Sequence, residues 1–263
     1  MKSSTTETPA ELTAKSLAAI EQIQGKLDYG TWTQNERIAL SCRLLAANGH
    51  AETLAGQLTV RQDDGTFMTV PLGRGFFEVR ASNLIRIDKS MQVIEGSGAA
   101  NPAIRFHLWV YNARPDVRCI VHTHPPYVAA LSMTGQPLKV AHMDATPFFD
   151  DCAFLPTWPG LPMAEEEGEI ISRALGPKRS ILLANHGFLT ATPSIEESLY
   201  LAILLERCAR NQLRAAACGS IAELDADLAR ESHDFLLRPE IVKTTFATMS
   251  REYLAGKDVC VIS

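Results

Sequence analysis

No apolar run in this chain approaches the roughly 20 residues that a membrane-crossing helix needs. The longest, such as Leu199 to Leu205 (LYLAILL), is far shorter, which argues against a membrane role. Paired cysteines are missing too. Cys42, Cys119, Cys152, Cys208, Cys218 and Cys260 are scattered with no C-x-x-C pair, the usage of reduced thiols in a cytoplasmic protein. Basic charge is in short supply: 25 Lys and Arg stand against 30 Asp and Glu, a net charge of -5, and no basic run exists. That balance argues against a nucleic-acid surface. The first residues, MKSSTTETPAELTAKS, lack the apolar segment of a secretory signal and read as a loose arm over positions 1–30. There is no repeat and no low-complexity tract.

The chain does have 46% hydrophobic residues over 263 positions, ample for the core of one α/β domain. Thr33 to Asn48 has helical spacing, with Gly49 as its stop. Strands follow at Gly56 to Arg61, Thr66 to Val70 and Leu84 to Ile87, with a DDG turn at 63–65. A helix fits Asn101 to Asn112, with Pro102 in its first turn. The segment 147–162, PFFDDCAFLPTWPGLP, reads as an irregular aromatic loop of the kind that covers a pocket. Helical spacing returns at Ala164 to Leu175, a buried strand at Ser180 to Ala184, and a long helix opens at PSIEES, where Ser194 and Glu197 have capping-box spacing. A helical tail runs over 221–263.

Chemistry concentrates at IVHTHPPY, 120–127. Alternate side chains of a strand share a face, so His122 and His124 point to one side and Thr123 to the other. Pro125 and Pro126 cannot donate to a sheet ladder and end the strand there. The two imidazoles therefore stand at a strand end. His186, in ANHG at 184–187, follows a second strand and precedes a glycine where the backbone can turn sharply. Three histidines at two strand ends can form one site suited to zinc, iron, copper or nickel, with a position left for water or substrate.

These segments resemble the class II aldolase/adducin family, whose sugar-phosphate aldolases and epimerases bind a divalent metal through H-x-H and a later H-H-G or N-H-G. The resemblance covers about Thr33 to Ala217 and rests on AGQLTVR (55–61), FHLWVYNARPDVRCIVHTHPP (106–126), EEEG (165–168), LLANHGFLT (182–190) and SIEESLYLAILLERCARNQL (194–213). It implies a three-layer α/β/α fold over 31–220, with a mixed central sheet flanked by helices. It implies His122, His124 and His186 as metal ligands, zinc first and Mn, Fe, Co or Ni as alternatives. It also implies a homotetramer acting on a small-molecule substrate.

The departures narrow the chemistry. Family aldolases carry a carboxylate four residues before the histidine equivalent to His107, and here that position is Ala103. The family's phosphate-binding positions read Gly56-Gln57, Leu72-Gly73 and Asn101-Pro102, which points away from a phosphorylated substrate. The resemblance thus implies a metal-dependent lyase, of aldolase or decarboxylase type, that cleaves a C–C bond of a small hydroxy-carbonyl compound through a metal-stabilised enolate. Asp144 and Tyr127 are the candidate acid–base residues, with His142 beside them. Rival readings are a non-catalytic adducin-type binding module, a non-haem iron oxygenase, and a cysteine hydrolase built on Cys152 and His142.

Overall fold

Strand β5 (Cys119–Thr123) is buried along all five residues and sits in the middle of an eight-stranded sheet of order β4-β3-β2-β1-β5-β8-β7-β6. The computed structural model describes residues 11, 14, 15, 17, 18, 21, 22, 25–50, 53–160, 165–256 and 259–262. The remaining strands are β1 (Gln57–Arg61), β2 (Phe67–Thr69), β3 (Ile85–Ile87), β4 (Val93–Glu95), β6 (Cys152–Leu155), β7 (Ser180–Leu183) and β8 (Phe188–Thr192). Neighbours pair antiparallel except β6 with β7, so the sheet is mixed.

Alternation along β5 divides the interior into two cores. Cys119 and Val121 belong to a core shared with helices α1 (Gln34–Ala47), α3 (Pro126–Met133) and α5 (Ile195–Ala216). Ile120 belongs to the other, shared with α2 (Arg105–Ala113) and α4 (Glu165–Leu175). This is the expected three-layer α/β/α arrangement. His122 has the parity of Ile120 and lies on the face covered by α2 and α4.

Helix ends follow their local chemistry. Thr33 and Glu36 form a reciprocal capping box on α1. At α5 the expected box is half made: Ser194 Oγ accepts from Glu197 N–H at 3.2 Å, but the Glu197 carboxylate pairs with Arg179 at 2.8 Å instead. The helix expected from Asn101 begins as a 3-10 turn, Pro102–Ile104, capped by the Asn101 side chain, and becomes α-helical only at Arg105.

Several elements differ from expectation, among them β4, which the sequence reading did not include. The segment 147–162 is not irregular throughout: a 3-10 turn (Met143–Phe148) leads through Asp150, at φ 52°, into β6, which pairs with β7. Its alternating Ala153 and Leu155 fill the core, a short pattern that prolines and aromatics on either side obscure. The residues after ANHG form β8, a fully buried strand and β5's other neighbour. Residues 1–10 of the expected arm lie outside the described residues, and the described positions between 11 and 22 are helical and exposed. In the tail, α6 (Ala226–Leu236) and α7 (Pro239–Ala255) both contribute buried residues, and Phe246 meets Trp32 edge-on at 5.9 Å. Among the described residues, no helix is long and apolar enough to cross a membrane.

Candidate metal centre

His122, His124 and His186 converge: one ligand nitrogen from each lies within 4.8 Å of the others. Two tight pieces of backbone make this possible. β5 ends where Pro125 and Pro126 begin α3, which holds His124 at the sheet rim. The β7–β8 turn closes with Leu183 N–H donating to the Gly187 carbonyl at 2.8 Å, and Asn185 sits at φ 56°, a left-handed conformation that asparagine adopts more readily than most residues. Gly187 has no side chain for a steric reason. A Cβ there would stand 2.5 Å from His124 Cδ2 and 2.5 Å from the Thr123 carbonyl.

Hydrogen bonds set the tautomer of His122. Its Nδ1 is 2.6 Å from the Phe188 carbonyl, which can only accept, so Nδ1 carries the proton and Nε2 presents a lone pair. That Nε2 lies 2.9 Å from His124 Nε2. The ring pairs His122–His124, His122–His186 and His124–His186 have centroids 4.8, 4.9 and 4.5 Å apart.

The environment keeps all three imidazoles neutral. Burial, then the neighbouring His186, His124 and His107, holds His122 well below the usual histidine range. Burial lowers His124, and burial together with His124 lowers His186 to about 4. Neutral imidazole is the form that binds metal, and the partly exposed His124 and His186 leave the cluster approachable. Three converging neutral imidazoles, one of them oriented by a backbone carbonyl, fit a divalent ion.

Around the cluster the sheet carries further buried polar groups. Gln57 is the cross-strand partner of His122 and its Oε1 is buried without a partner. His107 is fully buried; its Nδ1 meets Thr59 Oγ1 at 2.9 Å, and the same hydroxyl lies 2.9 Å from the Tyr111 hydroxyl. Thr123, on the opposite face, bonds His50 Nδ1 at 2.8 Å.

The structure does not bring Asp144 or Tyr127 to the histidines of the same chain. The Asp144 carboxylate pairs with Arg207 of α5 at 3.4 Å, on the other side of the sheet. Tyr127 packs against the α1/α5 core with the Arg214 guanidinium 5.8 Å over its ring. His142 accepts from Asp144 N–H through Nδ1 at 3.1 Å, and its Nε2 faces the Asn211 side-chain amide at 2.9 Å. Burial pushes the Cys152 thiol up to about 12, the opposite of what a thiolate nucleophile needs, and the ring nitrogens of His142 meet Asp144 N–H and Asn211 rather than Cys152, which speaks against the cysteine-hydrolase reading.

Two further carboxylates stand out: Glu206, which the sequence placed on the long helix as a structural polar group, and Glu167, which sequence reasoning passed over. Glu206, on α5, accepts the N–H groups of Tyr127 at 3.0 Å and Val128 at 2.8 Å, capping α3 directly after the H-x-H pair. Glu167, quoted above only as part of EEEG, is 2% exposed and neither carboxylate oxygen has a partner. An acidic residue on the buried side of the α4 pattern, in line with Ile171 and Leu175, is the signal that could have found it.

The fold agrees with what known proteins show. The pattern of the Class II Aldolase and Adducin N-terminal domain matches residues 36–213, and the chain belongs to that family. It is 33% identical over 199 residues to the decarboxylase NovR of Streptomyces niveus, covering 74% of each chain. It is 32% identical over 199 residues to a 4-hydroxy-3-prenylphenylpyruvate oxygenase/4-hydroxy-3-prenylbenzoate synthase of Streptomyces roseochromogenus subsp. oscitans, covering 74% of this chain and 72% of that one. Among solved structures, L-fuculose 1-phosphate aldolase from Glaciozyma antarctica PI12 superposes with a TM-score of 0.77 at 30% identity, over 84% of this chain and 89% of that one.

Proposed function

We propose that this protein is a metal-dependent lyase that breaks a C–C bond of a small, non-phosphorylated hydroxy-carbonyl compound, by decarboxylation or aldol cleavage. The observation that carries the reading is the cluster of three neutral histidines at two adjacent strand ends. Zinc is the first choice for it, with Mn, Fe, Co and Ni as alternatives. A divalent ion held there polarises a carbonyl or hydroxyl oxygen and stabilises negative charge that develops on it. The chain's own part is orientation: the Phe188 carbonyl fixes His122, Gly187 admits the His186 turn against His124, and Glu206 anchors the helix that follows.

The residues at the family's phosphate-binding positions support the unphosphorylated substrate. Leu72 is apolar and 47% exposed, Pro102 has no N–H, and the Asn101 side-chain oxygen is taken up at 3.0 Å by Ala103 N–H. The decarboxylase and aldolase names of relatives support the reaction class. A cytoplasmic homotetramer belongs to the same reading.

The first experiment is elemental analysis of untagged protein purified without chelator, beside His122→Ala. About one divalent ion per chain in the wild type and little in the variant supports the reading, and aldol and keto-acid substrates are then screened with that metal. No metal in either, even after reconstitution, moves the protein to an adducin-type binding module. A second enzymatic reading, an iron-dependent oxygenase, is favoured by the oxygenase name of one relative. Oxygen uptake with ferrous iron separates it from a lyase.

A further inference from the structure

Residues 137–142 run without regular structure toward the 3-10 turn at Met143–Phe148, alongside the last turns of α5. Hydrogen bonds fix their course. The Lys139 N–H donates to Gln212 Oε1 at 2.8 Å, and Gln212 Nε2 donates to the Pro137 carbonyl at 3.0 Å. Further on, His142 meets the Asn211 side-chain amide at 2.9 Å. The chain beyond α5 then folds back, and Leu224 N–H donates to the Val140 carbonyl at 2.9 Å. Between these pieces of chain lie two adjoining cavities of about 280 Å³ and about 370 Å³, which share Lys139, Gln212, Ser220 and Ile221. None of His122, His124 and His186 lines either one. Ala145 and Cys208, in the wall of the first, belong to the core shared by α1, α3 and α5, across the sheet from His122.

The lining has one chemical character. The first cavity is walled by the methyls of Ala141, Ala145, Ala215 and Ala222, beside Ile221 and the Cys208 sulfur. Both ring nitrogens of His142 are engaged, by Asp144 N–H and by Asn211, so its imidazole presents a flat wall and no free donor. Gln212 is likewise used at both ends of its amide. That leaves the Lys139 ammonium. Lys139 is half-buried, and among the described residues no carboxylate pairs with it. No Asp or Glu lines either cavity, in a chain whose net charge is -5. A half-buried ammonium without a counter-ion, set where two largely apolar hollows meet, attracts an anion whose remainder is apolar.

We propose that the two cavities form a binding site for a small aromatic monocarboxylate, separate from the histidine cluster. The carboxylate sits on the Lys139 ammonium and the ring lies among the alanine methyls, against the imidazole of His142. A cavity of roughly 150 Å³ suffices for benzene, so the first cavity alone holds a ring together with its carboxylate. A longer acid extends past Lys139 into the second cavity, toward Leu131 and Leu213. A dicarboxylate or a phosphate ester is disfavoured, because Lys139 is the single lysine or arginine lining the pair. The site does not depend on the lyase reading, and it stands whether or not the histidines hold a metal.

Alanine methyls in the wall provide the test. The full chain, labelled with ¹³C at its alanine methyl groups, is titrated with sodium benzoate and followed by NMR. The signals of Ala141, Ala145, Ala215 and Ala222 are expected to shift together and saturate. Lys139→Gln should weaken benzoate binding about tenfold, the worth of one hydrogen bond to a charged group. Benzyl alcohol, the same ring without the charge, should bind the wild type about tenfold more weakly than benzoate does. His122→Ala should bind benzoate as the wild type does. Shifts that fail to saturate, or equal affinity in Lys139→Gln and wild type, overturn the proposal. Loss of binding in His122→Ala also overturns it, by assigning the acid to the histidine cluster. If Lys139→Gln does not fold, the two ligands are compared on the wild type, and equal affinities overturn the proposal. Metal content, measured separately, bears on the lyase reading alone.

Discussion

His122 is held at both ring nitrogens, by the Phe188 carbonyl at 2.6 Å and by His124 at 2.9 Å. Replacing it with alanine should remove bound metal while the cores on both faces of the sheet persist; metal analysis beside circular dichroism checks this. Gly187→Ala should act from outside the ligand set. Its methyl would collide with a backbone carbonyl as well as the His124 ring, and the carbonyl cannot move cheaply. A destabilisation of about 1–3 kcal/mol with weaker metal binding is expected, read from a denaturant titration and a competitive chelator assay. The buried histidines also define an acid limit. Burial lowers His50 and His107 to about 3, so the unfolded chain takes up their protons first as pH falls. The stability they leave intact above roughly pH 6.5 is lost progressively below it, by about 2 kcal/mol per histidine at pH 5. Urea midpoints between pH 7 and 5 should fall steeply, and less so in His50→Gln.

At the scale of elements, the site depends on helices that carry no ligand. α3 starts one residue after the His124-Pro125 step, and its first free N–H groups go to Glu206 from α5. Burial pushes the Glu206 carboxyl up, against the pull of those two N–H groups. Glu206→Ala leaves two donors at the head of a buried helix without acceptors. A loss of about 2 kcal/mol is expected, with metal affinity falling because His124 loses its anchor. Glu206→Gln should recover part of both, since one amide oxygen can still accept. Unchanged metal affinity in Glu206→Ala would separate the cap from the site.

At the scale of the molecule, the tail is tied to the domain by charge as well as by apolar contact. His233 of α6 meets Asp151 at 3.2 Å and Asp234 at 2.8 Å. Asp151 also receives the Arg179 guanidinium and, at 2.7 Å, the Arg179 N–H, and Arg179 joins Glu197 of α5. Arg230 adds an ion pair to Asp150 at 2.6 Å. Burial opposes the charged form of His233, but its hydrogen bonds to Asp151 and Asp234 hold its pKa above the usual value. A raised histidine contributes fully below its unfolded value near 6.5 and loses that contribution as pH rises through the folded value. Amide exchange in 226–236 should therefore quicken from pH 6 to pH 9 beyond the intrinsic chemical rate, and His233→Ala should flatten the excess. This runs opposite to the acid limit set by His50 and His107, so the tail and the sheet lose stability at different ends of the pH range.

Much was legible from local pattern. The parity of I-V-H-T-H, the prolines that stop the strand, the glycine after His186 and the capping residue Ser194 are effects of one or a few neighbouring residues, and a sequence displays those directly. The mixed α/β class also followed, because alternation and helical spacing are set by which side chains must leave water; the three layers were implied by the family resemblance. β6 and β8 were missed because each is four or five residues long and owes its strand form to pairing with β7 and β5, partners far off in the chain. The same distance hid the environments that decide chemistry. Asp144, Glu206 and Glu167 are all plain acidic residues in sequence, yet the first pairs with an arginine near solvent, the second caps a helix, and the third has no partner. Local sequence determined which residue types stand at each strand end; only the packing of α2, α4 and α5 on the sheet decided which charges are screened, which are satisfied and which are left bare, because burial and hydrogen bonding depend on contacts between segments distant in the chain.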